Sequence, residues 1–273
     1  MKKSLSICAV FVVLQLLIGI CASVIAMTIT GISSPTLITQ SPVYINSIGI
    51  SLIVINLFMI LWVGYLCTKS PVGAFTHRIK KAPAAVWIWG IITLYFFTFT
   101  VDGLLEIFDI PDFLSQAMDG MMNTPICIVA ITLIGPIGEE VVFRRGIIEN
   151  LQESPRFARY AVVISALLFG IIHFNPTQTI AAFLLGLFLG WAYLASGKNL
   201  LIPIVFHILN NTTSTVLSHF FGYDFKFLDF APNTFMYFGV LAVMAVLAYV
   251  CFRRLRKVFR NQPSQTGQTE ESF

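Results

Sequence analysis

Long apolar runs separated by short polar stretches make up most of the chain. The runs are too long and too evenly apolar for one face of a soluble helix, and they do not alternate as barrel strands do. Eight are read as spans: Leu5 to Met27, Ser47 to Leu66, Ala84 to Val101, Pro125 onward past Gly138, Tyr160 to Phe174, Thr179 to Ala195, Leu201 to Phe221 and Thr234 to Phe252. The pattern predicts an all-α, polytopic membrane helical bundle of about eight transmembrane helices, forming a single domain over 1–260. The first run follows Lys2 and Lys3 but exceeds the roughly 7–15 residues of a signal-peptide core, and Ile20 is a poor residue before Cys21 for lipoprotein cleavage. It is therefore read as an uncleaved helix. Residues 261–273, rich in Gln, Ser, Thr and Glu, are expected to form a disordered cytoplasmic tail.

Composition sharpens this picture. The chain is 57% hydrophobic and 11% charged, against about a quarter charged for a soluble domain, which excludes a water-soluble globule. The charges are sorted by loop. Lys69, Arg78, Lys80 and Lys81 follow the second run, and Asp102, Glu106, Asp109, Asp112 and Asp119 follow the third. Arg145, Arg156, Arg159, Lys198 and the Arg253–Arg260 cluster continue the alternation, with Asp224 and Asp229 opposite. The positive-inside rule makes the basic loops and both termini cytoplasmic. The implied setting is the lipid bilayer of a plasma membrane, and the short chain with its lysine-led first span suggests a bacterial one. No polar fold carries a basic patch, so nucleic acid is excluded as a partner. Cys8, Cys21, Cys67, Cys127 and Cys251 stand singly in or beside apolar segments and are read as free thiols.

With no soluble domain predicted, chemistry has to come from polar residues inside the spans, where each is costly and hence a functional candidate. Glu139, Glu140 and Arg144 form one group, His173 a second, and His207 with Asn211 a third. At 100° per residue Arg144 lies about 40° around the helix from Glu140 but about 140° from Glu139. Glu140 and Arg144 can therefore pair, which alone would make them a structural ion pair, while Glu139 is left without a partner on its own helix. Ser154-Pro155 reads as a helix start, and antiparallel helices on either side of it would bring Glu139 and His173 to nearly one depth. His207 and Asn211 share a helix face, with Asn210 about 60° away. His219 is read as interfacial and His77 as part of a basic loop. A carboxylate can take a proton from water, histidines can hold a metal or share the proton, and an amide can donate to an oxyanion, a set suited to acyl-bond hydrolysis. Neither HExxH nor Gly-x-Ser-x-Gly occurs.

In order along the chain stand EExxxR (Glu139, Glu140, Arg144), FxxxH (Phe169, His173), a glycine-rich helix through Gly186 and Gly190, and HxxxN (His207, Asn211). This series resembles the CAAX protease and bacteriocin-processing (CPBP) family of intramembrane endopeptidases, which includes the Ras-converting CAAX endopeptidases. The resemblance covers about Ile126 to Thr213 and implies a catalytic core over about 125–213. It implies that Glu139 activates water together with His173, while His207 and Asn211 complete a metal site or stabilise the oxyanion, with Glu140, Arg144 and Phe169 supporting. The family is usually described as metalloproteases. Zinc held by His173 and His207 with one carboxylate is one arrangement these residues allow, and metal-free glutamate catalysis is the other. Gly186 and Gly190 form a small-xxx-small face for close helix packing. The expected activity is cleavage of a peptide or membrane-anchored protein from the cytoplasmic side, with a prenyl-cysteine substrate not assumed. A non-catalytic immunity or regulatory partner and a proton-coupled transporter are the alternatives. Substrate and oligomeric state stay open at this level.

Overall fold

The computed structural model describes residues 2–108 and 110–261, and among these every regular element is a helix. Asp109 and, of the tail expected to be disordered over 261–273, residues 262–273 lie outside the described residues. The principal helices are α1 (Lys2–Thr30), α2 (Pro42–Thr68), α3 (Ala84–Leu105), α4 (Pro125–Gln152), α5 (Ala161–Ile171), α6 (Pro176–Ala195), α7 (Leu201–Phe221) and α8 (Thr234–Arg260). Sequence chemistry sets their ends. Ser41 caps α2 by accepting the Tyr44 N–H, with Pro42 in the first turn, and Lys69 closes it in the left-handed region. Asn233 caps α8 by accepting the Met236 N–H at 2.9 Å.

Six of these helices, α1, α2, α3, α4, α6 and α8, are long and apolar enough to cross a bilayer. The other two occupy places read as spans but differ in kind. α5, even with its opening 3-10 turn, runs only from Ala158 to Ile171. α7 has 21 residues, but His207, Asn210, Asn211 and a run of Thr and Ser lower its hydropathy. The helix start expected at Ser154-Pro155 falls at Ala158 instead. Ser154 O accepts the N–H groups of both Phe157 and Ala158, so the dipeptide forms a turn between α4 and α5.

α4 is the centre of the bundle. Half of its most apolar stretch is buried, against 22% for α2 and α8. α1, α2, α5 and α7 pack around it, α5 and α6 form a hairpin, and α8 lies along α3. Large apolar side chains such as Ile20 and Ile29 on α1, and Val243 and Val246 on α8, face outward. That is the surface a bilayer would cover.

Loops at each end of the bundle are tied together. At the basic end Asn199 accepts the Lys80 N–H and Arg78 O accepts the Leu200 N–H. Glu149 gathers Arg78 at 2.7 Å, Arg145 at 2.6 Å and the Tyr193 hydroxyl. Arg145, expected among the loop charges, is thus a buried residue of α4, because Glu149 one turn further on neutralises it. At the acidic end Glu106 accepts the N–H groups of Phe227 and Leu228 and the Tyr237 hydroxyl. Asp112 accepts from Asn175 and from Tyr223.

Candidate active site

The residues of the site converge because α4 is not a uniform helix. Two π-helical stretches, Ala130–Ile134 and Val141–Ile148, flank the α-helical turn Gly135–Glu140 that carries both glutamates. Single-turn π segments are rare and concentrate at functional sites. One cause is visible in the sequence. The Gly135 N–H bonds Ala130 O, and residue 136 is proline, so the chain offers no donor there for Ile131 O. The Asn211 amide supplies it from α7, Nδ2 to Ile131 O at 3.0 Å. Asn211 thus spends one of its two N–H donors on holding α4, and its own oxygen accepts from Asn210.

Glu140 and Arg144 are completely buried and form a two-pronged ion pair, at 2.7 and 3.1 Å. Arg144 also reaches Ser165, whose hydroxyl donates to Phe143 O. The pair has a further partner: His207 Nδ1 lies 3.0 Å from Glu140 Oε1. A carboxylate can only accept here, so Nδ1 carries a proton towards Glu140 and Nε2 is the nitrogen left to face the cavity. Nε2 faces Glu139, 3.7 Å from Oε2. That separation is too long for a direct hydrogen bond and matches two groups aimed at one shared atom between them. Glu139, expected to stand alone on its helix, therefore pairs across to α7. The histidine beside it is that of α7, whereas sequence reasoning paired it with His173.

His173 occupies a different kind of position from the one expected. It lies beyond the end of α5, in the turn before α6, so it is not a mid-helix residue. Its Nδ1 donates to Phe169 O at 2.8 Å. The next residue, Phe174, has φ +50°, the left-handed backbone that reverses the chain there. Phe169 is the hub of this wall. Its ring meets His173, His207 and Phe143 edge-on, with centroids 5.2, 5.6 and 5.1 Å away, and the Arg144 guanidinium lies over it. Gly186 and Gly190 allow α6 to close on α5. A Cβ at Gly186 would lie 3.0 Å from Phe169, and one at Gly190 3.0 Å from Val162. His219 is exposed near Asn123 and stands apart from the site.

A cavity of about 770 Å³ passes through this region. Glu139, Phe169, His173, His207, Asn210 and Asn211 line one part of it, and Asp102, Glu106, Asp112, Tyr223 and Asp224 line another. Residues of the basic loops do not contribute to its lining. Access is expected from the basic side, whereas the residues lining this cavity lead towards the acidic end. Asp112 and Asn175 shape this route, and sequence reasoning missed both, since isolated polar loop residues carry no spacing signal. Asn175 is fully buried, donating to Asp112 and accepting the Phe113 N–H. Burial, assisted by the nearby Asp112 carboxylate, pushes the Tyr223 hydroxyl well above its ordinary range. It therefore remains a neutral donor to Asp112.

Both histidines have Nδ1 anchored and Nε2 free, as metal-ligating histidines usually do. The third ligand is missing from the arrangement. Among the described residues no three His, Cys, Asp or Glu side chains come together to hold a metal ion. His207 sits between the two glutamates and His173 lies beyond Phe169, so the expected zinc set is not assembled.

Comparison with known proteins agrees with this core. Residues 121–213 match the family of type II CAAX prenyl endopeptidases, Rce1-like. A Bacillus subtilis (strain 168) protein named "Putative membrane peptidase YdiL" is 30% identical over 100 residues, 37% of this chain and 40% of that protein. This segment, which holds all four motifs, is thus similar to the CAAX-protease family, and the match spans about a third of the chain. No solved structure matches.

Proposed function

We propose that the protein is a membrane-embedded endopeptidase in which Glu139 is the general base. The observation carrying this reading is the convergence of Glu139 Oε2 and His207 Nε2, 3.7 Å apart, on the wall of a cavity large enough for a peptide segment. A water between them loses a proton to Glu139 as its oxygen attacks the scissile carbonyl carbon. The same proton then passes to the leaving amide nitrogen as the C–N bond breaks. His207 steadies the water, and the buried Glu140–Arg144 pair fixes the tautomer and angle of His207. Glu140 and Arg144 are thus positioning residues. Asn211 keeps one N–H after binding Ile131 O and supplies it as a donor for the developing oxyanion, while His173, held by its bond to Phe169 O, lines the cavity beside it. The similarity of residues 121–213 to the CAAX prenyl endopeptidase family supports peptide-bond hydrolysis as the reaction.

The test is reconstitution of the purified chain in liposomes with a quenched fluorescent peptide library. Glu139→Gln, almost unchanged in shape, is expected to lower cleavage by at least about 100-fold, the lower bound of general-base contributions. Equal cleavage by wild type and variant would reject Glu139 as the base.

A further inference from the structure

The route from the site to the surface defines the side from which substrate comes. We infer that the scissile bond reaches Glu139 from the extracytoplasmic face, so that the substrate is an exported peptide or the outer juxtamembrane segment of an anchored protein. This rests on the endopeptidase reading and adds to it the class of substrate.

Two independent observations carry the inference. The first is the cavity, which runs from Glu139 and His207 to Asp112, Tyr223 and Asp224, between the α3–α4 and α7–α8 connections. The opposite end is closed where Glu149 binds Arg78, Arg145 and Tyr193, and where Lys80 and Asn199 are hydrogen-bonded through their backbones and side chains. The second is the distribution of charge. Lys69, Lys80, Arg156, Arg159, Lys198 and the Arg253–Arg260 cluster lie in the loops and termini at the closed end. Lys226 is the one Lys or Arg in the connections at the open end, alongside Asp112, Asp119, Asp224 and Asp229. An excess of Lys and Arg in short loops marks the cytoplasmic side of a membrane protein. The closed end is therefore cytoplasmic and the open end external. Segments held in the cytoplasm, including cytosolic C-terminal tails, would meet the locked end, whereas a segment outside the membrane has a continuous path to the site.

Cysteine labelling tests the orientation. In a chain whose five native cysteines are alanine, Asp229→Cys and Arg159→Cys place single exposed thiols at the two ends. Gln116→Cys and Arg254→Cys form a second pair should either of the first fail to insert. Reaction of the Asp229 or Gln116 position with an impermeant maleimide in intact cells, and of the Arg159 or Arg254 position only after permeabilisation, is the expected result. The reverse pattern overturns the inference. Labelling needs no turnover, so an inactive protein would refute the endopeptidase reading without mimicking this failure. If the chain is active, peptide termini that depend on Glu139 should fall in external segments; their confinement to cytoplasmic segments would also overturn the inference.

Discussion

At the scale of single residues, the site depends on a buried charge that would be costly alone. Arg144 and Glu140 are both without solvent exposure, and they are tolerable only because they pair with each other, with His207 also binding Glu140 and Ser165 also binding Arg144. Arg144→Met should destabilise the protein by about 3–5 kcal/mol, the usual cost of leaving one partner of a buried pair unmatched. A lowered Tm in detergent would show it, and an unchanged Tm would mean that the pair is not buried as described. The motif residues were legible because their spacing carries helical geometry: Glu140 and Arg144 one turn apart, His207 and Asn211 on one face. Their partners were less legible. The His207 link to both glutamates crosses between α4 and α7, and no periodicity within one helix reveals which ring faces which carboxylate. Asn56 was passed over for the same reason, a lone buried polar residue on α2 that lines the cavity.

At the scale of elements, the irregularity of α4 is the feature that sequence periodicity concealed. A repeat of 3.6 residues was assumed through Glu139, but wide π turns lie on both sides of it. The Pro136 signal was present in the sequence, and its consequence, a carbonyl needing an outside donor, became evident only with Asn211 beside it. Asn211→Leu should leave Ile131 O unsatisfied and cost about 1–3 kcal/mol. Adding Pro136→Ala, which restores a backbone N–H, should recover part of that stability in chemical denaturation. No recovery would argue against the proline as the origin of the exposed carbonyl. The α2–α4 contact is equally specific. A Cβ at Gly138 would stand 2.2 Å from Asn56 Oδ1. Gly138→Ala should therefore force the helices apart and cost about 1–3 kcal/mol, readable as a fall in Tm; Asn56→Ala in the same chain should relieve it. A stable Gly138→Ala single variant would contradict so close a contact.

At the scale of the whole molecule, the all-helical membrane bundle was legible from apolar run length, and the sorting of charge between the two ends from the loops alone. Two features were not. The shortness of α5 arises from the turn that carries His173, and the side on which the cavity opens depends on how loops pack at the ends of the bundle. The lock around Glu149 and the path past Asp112 are tertiary arrangements of residues far apart in sequence. Together they give a bundle closed at its basic end, open at its acidic end, and holding Glu139 and His207 between. The most direct test of the central claim needs no known substrate: new peptide termini are compared by mass spectrometry between cells expressing wild type and cells expressing Glu139→Gln at equal membrane abundance. Termini present only with wild type are the predicted result. Indistinguishable profiles across several growth conditions would contradict the assignment of Glu139 as a hydrolytic base and favour a binding role for the same cavity.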